Sequence, residues 1–330
     1  DQAKSQLWRI VNEFTLCKRD GVRPDVQVAL YQYGTPSLGA DNGFVRQIQP
    51  LTLDLDKISE ELFKLTTHGG HEYCGAAIAD AVQHLQWSPN KNDFKAIFVA
   101  GNEPFDQGNV DFRTAIKDAV AKGIVVNTIH CGSEEEGVRG FWREGATLGG
   151  GAFMTINADK KVVHIDAPQD KRLLELSERI NTTFLFYGAE RERIASNQKA
   201  QDENAAKVAR GVAAQRAITK GSSVYNYSMH CLVDAVTEGR VKIEDVAPEE
   251  LPEEYRSLSN EELKKVVDGK QEEREKIQKE IAELRKAREE YIAKKLKEMA
   301  ADSGKDTFED AVITSIRKQA GGAGLEFDKP

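Results

Sequence analysis

Long apolar runs are missing from this chain, and none reaches the ~18 residues that a membrane-crossing helix requires. Cysteine pairs are missing as well. The four thiols, Cys17, Cys74, Cys131 and Cys231, form no CxxC, and their number allows between zero and two disulfides without settling the redox compartment. Positive charge is in deficit, with 46 Lys and Arg against 54 Asp and Glu for a net charge of -8. No basic stripe interleaved with aromatics occurs either, which argues against a general nucleic-acid binder. No secretion signal is recognisable, yet residue 1 already falls inside a helical pattern, so an upstream segment is expected.

A hydrophobic fraction of 40% across 330 residues supports a real core, large enough for one domain with an extension or for two domains. The charged fraction of 30% and the mean hydropathy of -0.53 exceed what a compact domain needs, and the excess lies in the last third. The stretch FKAIFVAGNEPFDQG (94–108) is the most informative. Its apolar run, 96–100, reads as a strand buried on both faces, ending in the turn Gly101-Asn102-Glu103-Pro104 at a strand's carboxyl end, where open α/β sheets place ligands. A helix over 112–122 and a second buried strand over 124–129, ending in His130-Cys131-Gly132, follow.

Leu7, Ile10, Val11, Phe14 and Cys17 recur at helical spacing and predict a helix over 2–18. Strands are expected at 26–33, 44–48 and 152–156. Helices are expected around Ile58–Leu65 and at 76–85, 138–148 and 170–180. Strands alternating with helices specify an α/β fold with a doubly wound, mainly parallel sheet. Three regions follow: an α/β domain over 1–187, a helical extension over 188–247 that packs back through 222–235, and a long charged helix with a mobile tail over 248–330. Ser259 with Glu262 is a capping-box signal for a helix over 260–299, about 60 Å long at ~1.5 Å per residue. Its stripe of Ile277, Ile281, Leu284, Tyr291 and Met299, interrupted by Arg288, suits a coiled coil, a helical hairpin or a single solvated helix.

The segments QAKSQLWRIVNEF, VQVALYQYG, GGHEYCGAAIADAV, KAIFVAGNEPF and GIVVNTIHCG together resemble a von Willebrand factor type A domain over 1–187, of the bacterial type with a helical extension. The resemblance implies a Rossmann-like sheet whose first central strand, ending in Asp-x-Ser-x-Ser, is missing from this sequence; a strand upstream of Asp1 is expected to fill the place, with 161–165 (KVVHI) as the substitute. It also implies a non-enzymatic protein-binding, adhesion-type or scaffold role, an extracytoplasmic (periplasmic or secreted) location, and Mg or Ca held at a metal-ion-dependent adhesion site. That site is incomplete here: the second loop offers no Thr, and Gly101 stands where the third loop supplies Asp. Glu72 and Glu103 are the substitute metal ligands.

The partner-binding rim implied for the domain comprises His71, Glu72, Tyr73, Asn102, Glu103 and Trp142; Trp8, Trp87 and Trp142 read first as packing residues, with Trp142 the best candidate among them for an exposed aromatic. Cys74 and Cys131 both fall at the sheet's carboxyl edge. That placement allows a bridge, which needs Cα atoms about 4.4–6.8 Å apart, and equally allows two buried thiols. His68, His71 and Cys74, near His130-Cys131, have zinc-ligand chemistry, although the intervening glycines imply a turn. A thiol or metal enzyme on this rim, and a structural protein that forms homo-oligomers through the helix over 260–299, are the competing classes. The chain is read as having no catalytic residues.

Overall fold

The computed structural model describes residues 2–66, 69–156, 165–222, 224–303 and 308–327. In chain order the elements are α1 (Gln2–Phe14), β1 (Cys17–Lys18), β2 (Val28–Tyr33), β3 (Val45–Thr52), α2 (Leu55–Lys64), α3 (Cys74–His84), β4 (Lys95–Gly101), α4 (Phe112–Ala121) and β5 (Ile124–His130). Then come α5 (Glu134–Arg139), α6 (Trp142–Leu148), β6 (Gly150–Thr155), α7 (Asp170–Asn181), α8 (Arg191–Val208), α9 (Arg210–Lys220), α10 (Leu232–Thr237), α11 (Asn260–Ser303), α12 (Phe308–Gly322) and β7 (Glu326–Phe327). The protein is mixed α/β, and its contacts divide it into two compact units that do not follow chain order. One gathers described residues of 1–52, 61–162 and 304–329, the other those of 53–60 and 163–303.

The first unit contains a parallel three-stranded sheet in the order β4-β5-β6. The register runs unbroken from Lys95 opposite Ile124 to Gly101 opposite His130. β5 is the middle strand and is almost wholly buried, as its run of apolar and β-branched residues requires. On one face Ile78, Val82, Phe112, Ile116 and Ala119 from α3 and α4 close over Val99, Ile124 and Val126. Elsewhere Ile10 of α1 and Ile316 of α12 close over Ile129 and Met154. A separate antiparallel pair, β2-β3, belongs to the same unit, and Tyr33 at its end donates to the Ala100 carbonyl of β4 at 2.8 Å. No described strand joins the two sheets. The segment 161–165 lies outside the described residues except for Ile165.

Several elements differ from the sequence expectation. The helix expected over 138–148 is two helices, broken where Phe141 takes a left-handed φ of 65°. The acidic run Glu134–Glu136 is the first turn of α5, where carboxylates face the positive end of the helix dipole. The tail is held as far as it is described: Leu325 is buried, and Glu326 and Phe327 pair with Lys18 and Cys17.

In the second unit, α11 starts at the expected capping box, with Ser259 N donating to Glu262 Oε2 at 2.8 Å and Glu262 N to Ser259 Oγ at 3.3 Å. Its apolar stripe closes on α7, α9 and α10 of the same chain, burying Ile277 and Ile281. Arg288, which interrupts the stripe, is buried with it, and so is Arg274 one turn before the stripe begins. Arg288 donates to Asp170 Oδ1 at 2.6 Å, and Arg274 pairs with Asp234 while donating to the Thr183 carbonyl at 2.7 Å. The reading of the stripe treated Arg288 as a break because a periodicity scan cannot see Asp170 on another helix.

A denser set of buried charges lies between the start of α2 and helices α8 and α9. Asp56 accepts from Arg216 Nη1, Tyr225 Oη and Tyr227 Oη, each at 2.7 Å. Arg216 Nε also donates to Asp202 at 2.5 Å, and Lys220 Nζ donates to Asp202 Oδ2 at 2.7 Å and to Asn181 and the Ser177 carbonyl. Two carboxylates thus balance two cations, each held by several hydrogen bonds, which is what makes burying such charges tolerable. Burial lowers the Lys220 ammonium to about 8 despite Asp202. Burial also raises the Asp202 carboxyl, but Arg216 and Lys220 outweigh it and hold the group below its ordinary range. A carboxylate depressed in this way stabilises the fold above its unfolded pKa and loses that contribution as pH falls through the folded one. Asp202→Asn should therefore cost about 3 kcal/mol of stability at pH 7, because Lys220 and Arg216 lose a buried counter-charge. The deficit relative to the unmodified protein should shrink below about pH 4 as its own carboxyl protonates. Urea unfolding at pH 7 and pH 3 reads both quantities, and an equal deficit at the two would contradict the assignment.

Candidate functional site

Because β4 and β5 run parallel in unbroken register, Gly101 and His130 end side by side and the loops after them share one edge. The Gly101 carbonyl takes the Cys131 amide at 2.7 Å, and the His130 carbonyl takes the Ile156 amide at 2.7 Å, so the edge is held to the last residue of each strand. The segment before α3 is fastened to the same place. Glu72 Oε2 accepts from the amides of Asn102 at 3.0 Å and Glu103 at 3.2 Å. The Glu72 amide in turn donates to Gln107 Oε1 at 3.1 Å, and Gln107 Nε2 donates to Glu103 Oε2 at 3.2 Å. Two segments distant in sequence are thereby tied by two carboxylates and one amide side chain.

Gly101 is where this tie needs glycine. A Cβ there would lie 2.6 Å from Glu72 Oε2, 2.6 Å from the Tyr33 hydroxyl and 3.0 Å from the Trp142 ring. The Glu72 carboxylate occupies the space that a side chain at 101 would take. This bears on the metal expectation. One oxygen of Glu72 is committed to two amides, residue 101 has no side-chain oxygen to offer, and among the described residues no group of three or more His, Cys, Asp or Glu side chains is placed to hold an ion. Hard cations need several oxygen ligands. Glu72 and Glu103 meet here, but as a loop clamp whose donor set does not fit Mg or Ca.

Trp142 is a correction. It is fully buried rather than exposed, with Nε1 donating to the Glu103 carbonyl at 2.9 Å and the ring packed edge-on against Phe105 at 4.8 Å. It forms the floor of the rim instead of a contact tip. His71 is exposed but stacked on Phe44 at 4.5 Å, and Tyr73 packs edge-on against the same ring at 5.2 Å. Asn102 is exposed, as a rim residue should be. His68 lies outside the described residues.

Of the two alternatives for Cys74 and Cys131, the structure has the free thiols and no bridge between them. Cys74 is fully buried in the core as the first residue of α3, where its sulfur meets the Tyr33 hydroxyl at 3.6 Å. Cys131 is half-buried just past β5. Burial, with help from Glu72, pushes the Cys131 thiol up to about 11, the opposite of what an activated nucleophile requires.

A cavity of about 620 Å³ opens on this edge. Glu103 and Asp106 line it from the β4 loop, His130 and Cys131 from the end of β5, and Glu136 and Arg139 from α5. The His130 ring lies 5.5 Å from that of Trp142. Burial lowers its pKa, against the pull of Glu136, and so favours the neutral imidazole. Glu136 is oriented by its capping box, Oε2 accepting from Ser133 N at 3.0 Å and Oγ at 2.7 Å, and these bonds hold the carboxyl below its ordinary range. Sequence reasoning placed His130 and Cys131 on the rim but missed Asp106, Gln107, Glu136 and Arg139. The Ser-x-x-Glu spacing at 133–136 was the available signal for Glu136. Nothing in the local sequence marks Gln107, because its role depends on Glu72, 35 residues away.

Comparison with protein-family models, with curated proteins and with solved structures returned no match for this chain.

Two outcomes follow from the geometry. Gly101→Ala should destabilise the protein by about 1–3 kcal/mol in thermal or urea unfolding, the usual cost of overpacking, because Glu72, Tyr33 and Trp142 cannot all keep their places. A neutral result would mean that the clamp is loose. Alkylation in denaturant followed by intact mass should add four labels per chain whether or not a reductant is used first; two fewer labels without reductant would restore the bridge.

Proposed function

We propose that this chain is a non-enzymatic protein-binding module that docks its partner at the rim formed by the loops after β4 and β5. The observation that carries the reading is the cavity at that rim, built from three separate segments on a clamped, rigid edge and bordered by the exposed polar residues Asn102, Asp106 and Arg139. Ligand sites of open α/β sheets fall at the carboxyl ends of strands. A rigid scaffold that presents polar loop tips around an aromatic floor is also the arrangement expected of an interface centre surrounded by a polar rim. The raised Cys131 thiol gives no support to nucleophilic catalysis at the same place.

The finer reading of the fold, a doubly wound sheet of the von Willebrand factor type A kind, belongs to the same proposal. It is supported by an antiparallel β2-β3 pair and a parallel β4-β5-β6 sheet in one unit, each with an edge unpaired among the described residues, and by the Tyr33–Ala100 hydrogen bond where their ends meet. In that reading one further strand lies between β2 and β4.

The docking test uses a photo-reactive benzoylphenylalanine placed at Asn102, and separately at Leu148, which is exposed outside the cavity. In extract of the source cells, Asn102 should cross-link one polypeptide that Leu148 does not. Glu103→Lys should abolish that product, and the partner identified by mass should bind again as a purified protein. A cross-link that ignores Glu103→Lys, or no cross-link at Asn102, would remove the rim from consideration.

A further inference from the structure

The cavity holds one group that general docking does not explain. His130 is 3% exposed, yet neither ring nitrogen has a hydrogen-bond partner, and the ring lines the cavity. A buried polar atom left unpaired is costly, and at the wall of a cavity it indicates that a ligand atom completes it. The ring fills the space that side chains at Gly132 and Gly137 would take, since a Cβ there would lie 2.6 Å from Nε2 and 3.0 Å from Cδ2 respectively.

The charges around it select the ligand. Glu103, Asp106 and Glu136 bring three carboxylates to the lining and Arg139 brings one cation, which leaves negative charge in surplus. Glu136 uses Oε2 for its cap and Glu103 uses Oε2 for Gln107, so each has a second oxygen directed to no described protein donor. Asp106 is exposed. An anionic ligand would meet three like charges, and a neutral one would leave them uncompensated. Among the described residues no grouped donor set for a metal ion is found. A neutral imidazole offers one lone pair, which needs a donor from the ligand. A guanidinium supplies several N–H donors in a planar fork, is weakly hydrated, and tolerates an aromatic floor such as Trp142.

We infer that the cavity is a receptor for a basic side chain of the protein partner, arginine in preference to lysine, whose N–H groups donate to His130 and to the carboxylates of Glu103, Asp106 and Glu136. The assignment rests on the docking reading above and names the chemistry that the rim recognises. Lysine is the weaker occupant because a compact, strongly hydrated ammonium gives up more solvation and cannot bridge acceptors in one plane. Salt should weaken binding, since Asp106 and Glu136 are exposed and within reach of counter-ions.

The test titrates the full chain with N-acetyl-arginine methylamide, and in parallel with the lysine and glutamate analogues, while following the histidine ring resonances by NMR. The His130 signals are identified from their loss in His130→Gln. The arginine compound should move these signals along a saturable curve with a dissociation constant in the millimolar range, as for a single side chain. The lysine compound should bind more weakly and the glutamate compound not at all. The double variant Glu103→Gln, Asp106→Asn should weaken the arginine compound about tenfold or more, the loss of two charge-assisted bonds. Its His71 and His84 resonances should be unchanged, which shows an intact fold. Binding of the glutamate compound, equal binding by the double variant, or no saturation by arginine overturns the inference. If arginine fails while the Asn102 cross-link forms, only the basic-side-chain assignment falls. If the cross-link is missing as well, the docking reading falls with it.

Discussion

The parallel pairing of β4 with β5 is the constraint on which the working edge depends. Seven consecutive residue pairs, from Lys95–Ile124 to Gly101–His130, leave no freedom in where the two strands end. Both loops therefore emerge together, and the Glu72 carboxylate can reach the amides of Asn102 and Glu103. The glycine at 101 is part of the same constraint, because the space beside it belongs to Glu72, Tyr33 and Trp142. A slip of one residue in this register would part the ends of the two strands and turn every side chain of the slipped strand to the other face.

Specificity in the second unit comes from buried charge in place of a larger apolar core. Asp56, Arg216, Asp202 and Lys220 are matched in number and saturated with hydrogen bonds, and Asp170–Arg288 and Asp234–Arg274 repeat the device where α11 packs. Such pairs add less net stability than apolar side chains of similar volume would, but they penalise any arrangement that leaves one member alone. For a helix of 44 residues with a thin apolar stripe, that penalty helps fix which face packs and at what height.

Most of the element content was legible locally. The apolar runs of β4 and β5, the helical periodicities of α1 and α4, and the Ser259/Glu262 box stand where periodicity and capping chemistry put them, within a few residues at their ends. The break at Phe141 was not legible, since a positive φ in a phenylalanine has no sequence mark and is imposed by packing. The site was legible as a location and misread in its parts. Glu72 and Glu103 meet as expected, but as hydrogen-bond acceptors within a clamp. Trp142 turns inward because its indole N–H finds the Glu103 carbonyl, and Cys74 is an interior helix residue rather than half of a bridge.

By itself the sequence determined the alternation of strands and helices, the caps, the absence of a membrane-spanning helix among the described residues and the edge at which the β4 and β5 loops emerge. These are short-range properties, set by which backbone conformations and which buried faces a dozen residues allow. Only the tertiary structure decided which polar atoms find partners: Asp56 with Arg216, Glu72 with two amides 30 and 31 residues away, and His130 with none. The reason is that a hydrogen bond is satisfied by whatever atom arrives within about 3 Å, and that atom is chosen by strand register and helix packing rather than by neighbours along the chain.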